Sequence, residues 1–253
     1  MKITILSLFL ILITCTLRAQ STSLPLISNG KTEFSLTTQG GFSESYAKDD
    51  RVRLYGAFLR CGIGFHQLFD VYGILGTNKQ NIRYSDTSLS DFDSDMVRSL
   101  GGGIAIKWPY LLPWKIQLSN TAQAIFFAPT GAAYSRSTVP NTDYRKRNDF
   151  RYEWRHAQVA FFAARKFQQY EFFVGGEYIL DYVEFKHDLT LESEEGQFFL
   201  NSARGVYLEE NRPNVNLGVN IALPGRHNLG IELKGGMQND IAIFVAIGQT
   251  GKP

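Results

Sequence analysis

The amino-acid sequence predicts an all-β protein, one antiparallel up-and-down transmembrane β-barrel of about ten strands. Three observations carry this expectation. Segments of about ten residues alternate apolar and polar with period two, the length and pattern of a tilted strand crossing a bilayer. Aromatic residues stand at both ends of apolar faces, where a lipid-facing band meets water. The connections alternate between short turns and long polar stretches, so the strands form a meander with two unlike ends.

The 253 residues are 44% hydrophobic, 13% aromatic and 20% charged, which excludes a disordered tail and a collagen-like chain. With 26 basic against 24 acidic residues there is no extended basic face, so nucleic-acid binding lacks electrostatic support. The mean hydropathy of -0.15 suits a soluble globule. A barrel with an apolar outside and a polar inside averages to the same value.

Residues 1–19 read as a cleaved signal peptide: Lys2 supplies the positive start, Ile3 to Ile13 the apolar stretch, and Leu17-Arg18-Ala19-Gln20 a cleavage site after Ala19. Residues 20–253 then form a single barrel domain. Cys61 is the one cysteine left in it, so no internal disulfide is expected. No later run reaches the ~18 apolar residues of a membrane helix.

Phe34 and Leu36 mark a short first strand at 31–38. In the second, Tyr55, Ala57, Leu59, Cys61, Ile63 and Phe65 face outward and alternate with Gly56, Phe58, Arg60, Gly62 and Gly64. A third occupies 67–76. Leu100, Gly102, Ile104, Ile106 and Trp108 give the outward face of the fourth, and Trp114 to Phe126 the fifth, whose apolar face Asn120 interrupts. A sixth at 152–165 precedes the clearest strand. There Tyr170, Phe172, Val174, Gly176, Tyr178, Leu180 and Tyr182 face outward against Glu171, Phe173, Gly175, Glu177, Ile179 and Asp181. Val215 to Leu223, Leu229 to Leu233 and Ile241 to Ile247 complete the ten. Tyr55, Trp108, Trp114, Tyr170 and Tyr182 are the expected interfacial girdle. Glycines recurring at inward positions leave room for the larger side chains of facing strands.

Connections at 64–67, 109–113, 166–169 and 224–228 are short, whereas 39–50, 77–95, 128–150 and 187–211 are expected as long polar loops and 237–240 as a tight last turn. So arranged, the chain resembles small bacterial outer-membrane β-barrel proteins over residues 31–248, by pattern and not by the signature of one family. It departs from their usual aromatic last residue, ending in Gly248 to Pro253. The resemblance implies a Gram-negative outer-membrane location, with short turns periplasmic and long loops outside. It also implies contact with outer-membrane lipid and with the barrel assembly machinery.

Glu33, Arg60, Asp70, Lys107, Lys115, Glu171, Glu177, Asp181, Glu232 and Lys234 fall on the inward face. Unpaired charge in a narrow lumen is costly, so these groups are expected to pair across a filled interior. A narrow selective path is the alternative, because ten strands lie nearer the filled barrels of about 8 than the open ones of about 16. His156 is the catalytic candidate. A turn centred near Phe167 and Gln168 sets it opposite Ile179 with Glu177 and Asp181 diagonal, and a histidine flanked by carboxylates suits a general base or proton relay. A purely structural histidine is the competing reading.

Asp91-Phe92-Asp93-Ser94-Asp95 starts like an EF-hand loop but has Met96 where the turn glycine belongs and Gly102 where the closing Glu belongs, so no metal is expected there. Arg136, Arg145, Lys146 and Arg147 form a basic cluster suited to lipopolysaccharide phosphates. Glu192, Glu194, Glu195, Glu209 and Glu210 make the next loop acidic and able to clasp it. With no phosphate loop, metal-spaced Cys/His set or hydrolase elbow, no cofactor is expected. The functional expectation is a non-enzymatic surface, structural or narrow-passage barrel. A barrel hydrolase of lipid or peptide using His156, and a soluble secreted ligand-binding barrel, are the alternatives.

Overall fold

The computed structural model describes residues 34–47, 49–66, 68–85, 90–136, 145–193, 196–236 and 241–251. The signal-peptide segment, Glu33, Glu194, Glu195 and the 237–240 turn lie outside them. The alternating segments form β1 (Phe34–Ala47), β2 (Asp50–His66), β3 (Phe69–Arg83), β4 (Phe92–Asp93), β5 (Val97–Leu112), β6 (Ile116–Phe127) and β7 (Thr130–Arg136). There follow β8 (Arg145–Phe167), β9 (Tyr170–Ser193), β10 (Gly196–Leu223), β11 (His227–Gly236) and β12 (Ile241–Gly251).

All pairings are antiparallel. Ten strands close a ring in the order β1, β2, β3, β5, β6, β8, β9, β10, β11, β12, sealed where Phe34 meets Gly251 and Glu44 meets Ile241. Closure leaves no open sheet edge within the ring, which a strand in lipid requires. β4 prolongs the pairing of β5 along β3, and β7 prolongs that of β6 along β8. Pro129 lies at the β6–β7 break because it has no N–H for the ladder, while its carbonyl still accepts from the Tyr152 amide at 2.9 Å.

The short connections are tight turns at one end of the barrel. Gln168, between β8 and β9, and Gly225 and Arg226, between β10 and β11, take left-handed φ values of 54°, 77° and 63°. The long connections correct the expectation of loops. Ala47 pairs with Asp50, β3 runs on to Arg83, and β9 stays paired with β10 as far as Ser193 and Gly196. Their polar side chains still alternate with apolar ones, and the ladder satisfies backbone groups that a loop would leave to water.

Along each long strand the alternation reverses sign. Near the short turns the outside is apolar: on β8 Val159 and Phe161 are exposed while Gln158 and His156 are buried inside. Farther along the same strand Arg151 and Arg155 are outside, and Tyr152 and Trp154 are buried. β9 repeats this, with Val174, Tyr178 and Leu180 outside, then Glu184 and Lys186, over a buried Val183. On β2, Arg51 and Arg53 lie outside Val52 and Leu54, whereas Leu59 and Ile63 lie outside Arg60. The ring is therefore a lipid-facing barrel that continues as a water-facing barrel with an apolar core.

Inward glycines make the space that the alternation anticipates. A Cβ on Gly218 would run into the Phe173 ring, and one on Gly175 into Phe162. These two rings meet edge to face at 5.7 Å inside the barrel.

Candidate functional site

The lumen within the apolar belt holds clusters of charged and polar side chains. Glu177 accepts from Lys234 Nζ at 2.8 Å, Asn216 Nδ2 at 3.0 Å and Asn214 Nδ2 at 3.2 Å, drawing β9, β10 and β11 together. Asp181 lies 2.7 Å from His156 Nδ1 and accepts from Arg212 Nη2 at 3.0 Å. His156 Nε2 stands 3.1 Å from Gln158 Oε1, so both ring nitrogens are engaged. The β8–β9 turn holds Gln168 and Gln169, with Phe167 opposite Tyr170. This corrects the expected register by two residues: His156 faces Asp181 directly, and Glu177 faces Ala160.

Arg60 is buried with its guanidinium 3.4 Å above the Tyr72 ring, within reach of the charges of Asp70 and Glu232. Tyr72 in turn donates to Gln123 Oε1 at 3.2 Å. Glu171 accepts from Asn220 at 3.3 Å near the short-turn end, where Lys107 is half-buried. Lys115 does not belong to the lumen: it stands exposed in the 3-10 turn Pro113–Lys115 with φ 60°, because the turn absorbs it before β6 begins.

Beyond the charge groups the interior holds a layer of apolar and aromatic side chains, absent from the sequence-based expectation. Trp154 stacks on Phe127 at 5.6 Å and donates to Gln80 Oε1 at 3.1 Å. Tyr152 packs against Phe92 and Tyr207, both at 5.1 Å, and its hydroxyl is 2.7 Å from that of Tyr84. Tyr207 donates to Asp50 Oδ2 at 3.1 Å. Trp154 to Gln80 and Tyr207 to Asp50 join strands that are not neighbours in the ring, so they cross the lumen. The signal was present: Val52 and Leu54, Ile82 and Tyr84, and Tyr152 and Trp154 alternate with charges. Parity alone does not reveal a core there, because these apolar residues sit on the side that faces the lumen.

On the outside, Trp108 and Trp114 are exposed near the short turns, and Tyr55, Tyr170 and Tyr182 are half-buried on the outward face. Trp108 donates its indole N–H to Asn120 Oδ1 at 2.6 Å, which satisfies the polar residue interrupting the apolar face of β6. Arg136 pairs with Arg145 at the far end of the β7–β8 hairpin. Arg147 reaches Asp149 at 2.9 Å and Glu192 at 3.4 Å. Asp91 and Asp93 are taken up by Arg83 and Lys79 at 3.4 and 2.9 Å. Among the described residues no group of three or more His, Cys, Asp or Glu side chains is placed to hold a metal.

Outside the membrane-spanning part, Glu44 lies between Arg51 at 2.6 Å and Arg53 at 2.7 Å. Burial pushes its carboxyl up, and the hydrogen bonds from both guanidinium groups outweigh this and hold it below its ordinary value. Burial pushes Tyr84 up to about 12 and His187 down. His187 stacks on Phe150 at 4.6 Å with Nε2 2.9 Å from Asn148 Oδ1.

No protein-family model matches this chain, and no curated protein matches it. Among solved structures it is similar to the translocator domain of the autotransporter NalP from Neisseria meningitidis. The TM-score is 0.53 at 11% identity, over 88% of this chain and 90% of that one. The transport unit of the autotransporter AIDA-I from Escherichia coli aligns at a TM-score of 0.45 and 9% identity, over 91% of this chain and 93% of that one. The outer membrane protease OmpT from Escherichia coli gives 0.45 and 8%, over 90% and 99%. The NalP likeness is one of fold. Together with the apolar belt, it gives this chain the fold of an outer-membrane β-barrel protein.

Proposed function

We propose that the protein is a non-enzymatic barrel with a closed lumen, a surface or structural element of a Gram-negative envelope. Its short turns face the periplasm and its long hairpins face outward. The observation that carries this reading is the cross-lumen layer of Trp154, Tyr152 and Tyr207, beside the buried, paired carboxylates of Glu177 and Asp181. A solute path would have to break both. His156 is a positioning residue for Asp181 and Arg212: it is 3% exposed, and both its nitrogens are committed. That leaves no free ring nitrogen to take a proton from water or from a nucleophile. The basic hairpin end carrying Arg136, Arg145, Lys146 and Arg147 is suited to lipopolysaccharide phosphates, and the barrel assembly machinery is the partner during insertion.

Planar-bilayer recording tests the reading. Wild-type protein is expected to give no unitary conductance, and Trp154→Ala with Tyr152→Ala is expected to give discrete steps by opening the layer. Steady conductance from the wild type would overturn the closed lumen.

A further inference from the structure

The lipid-facing surface carries a trough that the barrel's own packing does not require. Cys61, Gly73, Gly102, Ala124 and Ala157 pair in sequence across β2, β3, β5, β6 and β8, so five outward positions in one row carry small side chains. At ~4.8 Å per strand the row is about 19 Å long, the scale of an extended acyl tail. It is open: a Cβ on Gly73 would meet nothing within 4 Å, and one on Gly102 would meet only the Tyr72 carbonyl. Leu75, Leu100 and Phe126 form the ridge on one side. At the β8 end the trough widens into a groove of about 800 Å³ under Phe126, Leu180 and Tyr182, rimmed by Arg155, Glu209 and Asn211.

Polarity rises along this trough. Because the strands tilt, the Cys61 end lies six residues inside the tyrosine edge of its strand, Tyr55, and the Ala157 end lies two residues from Arg155. A second, independent feature stands farther out on the same face. Lys186 pairs with Arg151 on one side and with Arg204 on the other, so three cations share one row across β8, β9 and β10. Like charges placed directly opposite oppose the pairing. All three are exposed, and their acid partners, Glu153 at 3.2 Å, Asp188 at 3.4 Å and Glu184 at 2.9 Å, come from neighbouring rows. Such exposed pairs are weak and exchange readily for a stronger anion. Arg155, 3.4 Å from Glu184 with its guanidinium 5.4 Å over Tyr182, is a further cationic station. It lies four residues, or about 13 Å, along β8 from Arg151.

We propose that this face binds an outer-leaflet glycolipid with long acyl chains and two phosphates. One tail lies in the Cys61-to-Ala157 trough, one phosphate sits at Arg155, and the second sits at the Arg151, Lys186 and Arg204 row. The proposal rests on the membrane reading and on the long hairpins facing outward. Arginine's planar fork suits phosphate, and a tail in an open trough replaces loose lipid contacts with continuous ones.

The test is native mass spectrometry of detergent-purified protein titrated with diphosphoryl lipid A, monophosphoryl lipid A and phosphatidylethanolamine. Wild type, the triple variant R151Q/K186Q/R204Q and the trough-filling variant A157F are compared, with V215F as a lipid-facing control. Wild type and V215F are expected to retain one diphosphoryl lipid in preference to the other two. The triple variant and A157F are expected to lose about tenfold or more in occupancy, as removal of charge-assisted contacts or of the tail's seat demands. Either variant staying at wild-type occupancy, or phosphatidylethanolamine retained equally, overturns the proposal. So does A157F splitting a homodimer with lipid occupancy unchanged, since a second copy would then cover the trough. Heat-modifiable migration is checked for every variant, and its absence in the wild type would overturn the membrane reading itself.

Discussion

Glu177 and Lys234 are buried side by side, and each depends on the other. Lys234→Met leaves a carboxylate with only two amide donors inside the barrel, and breaking a buried pair from one side costs about 3–5 kcal/mol. Urea unfolding from phospholipid vesicles is expected to show that loss, and Glu177→Gln combined with Lys234→Met is expected to recover most of it. Glu44 predicts a pH effect. Its folded carboxyl titrates below the ordinary value, so its contribution to stability is complete above the usual carboxylate range and disappears as pH falls through the folded value. Thermal unfolding followed from neutral to acid pH is expected to fall less steeply for Glu44→Gln than for wild type. At this scale the buried charges Arg60, Asp70, Glu177, Asp181, Glu232 and Lys234 follow from parity, whereas Lys115, which a turn takes out of the strand, and Arg212, on a segment read as lying between strands, do not. Asp181 was legible as one of two carboxylates beside His156, but its place directly opposite was not, because a turn of Gln168 and Gln169 moves the register by two residues while leaving every side chain on its expected face.

Strands were legible where lipid imposes a rule. On β5, β6 and β9 the outward residues had to be apolar for about ten positions, and Ile104, Phe126 and Val174 stand where the alternation sets them. Beyond the belt the rule changes sign, and charge on the outside made continuing strand look like loop. Residues 77–83 of β3 are the plainest case: expected within a loop, they stay paired with β2, with Gln80 and Ile82 buried inside and Lys79, Asn81 and Arg83 outside. The hairpin formed by β9 and β10 follows the same logic, with Glu184 and Lys186 outside and Val183 in the core.

The whole molecule is one ring of strands in two solvents, inside out across the boundary. Within the belt, polar groups hide inside and apolar ones meet lipid; beyond it, the apolar groups gather inside the ring around Trp154. Spin labels at positions 151, 153, 159 and 161, in a Cys61→Ser background reconstituted in lipid, test this most directly. Oxygen, which dissolves in the bilayer, is expected to relax labels at 159 and 161, and a water-soluble nickel chelate those at 151 and 153. Equal access of the nickel chelate to all four positions would contradict the account.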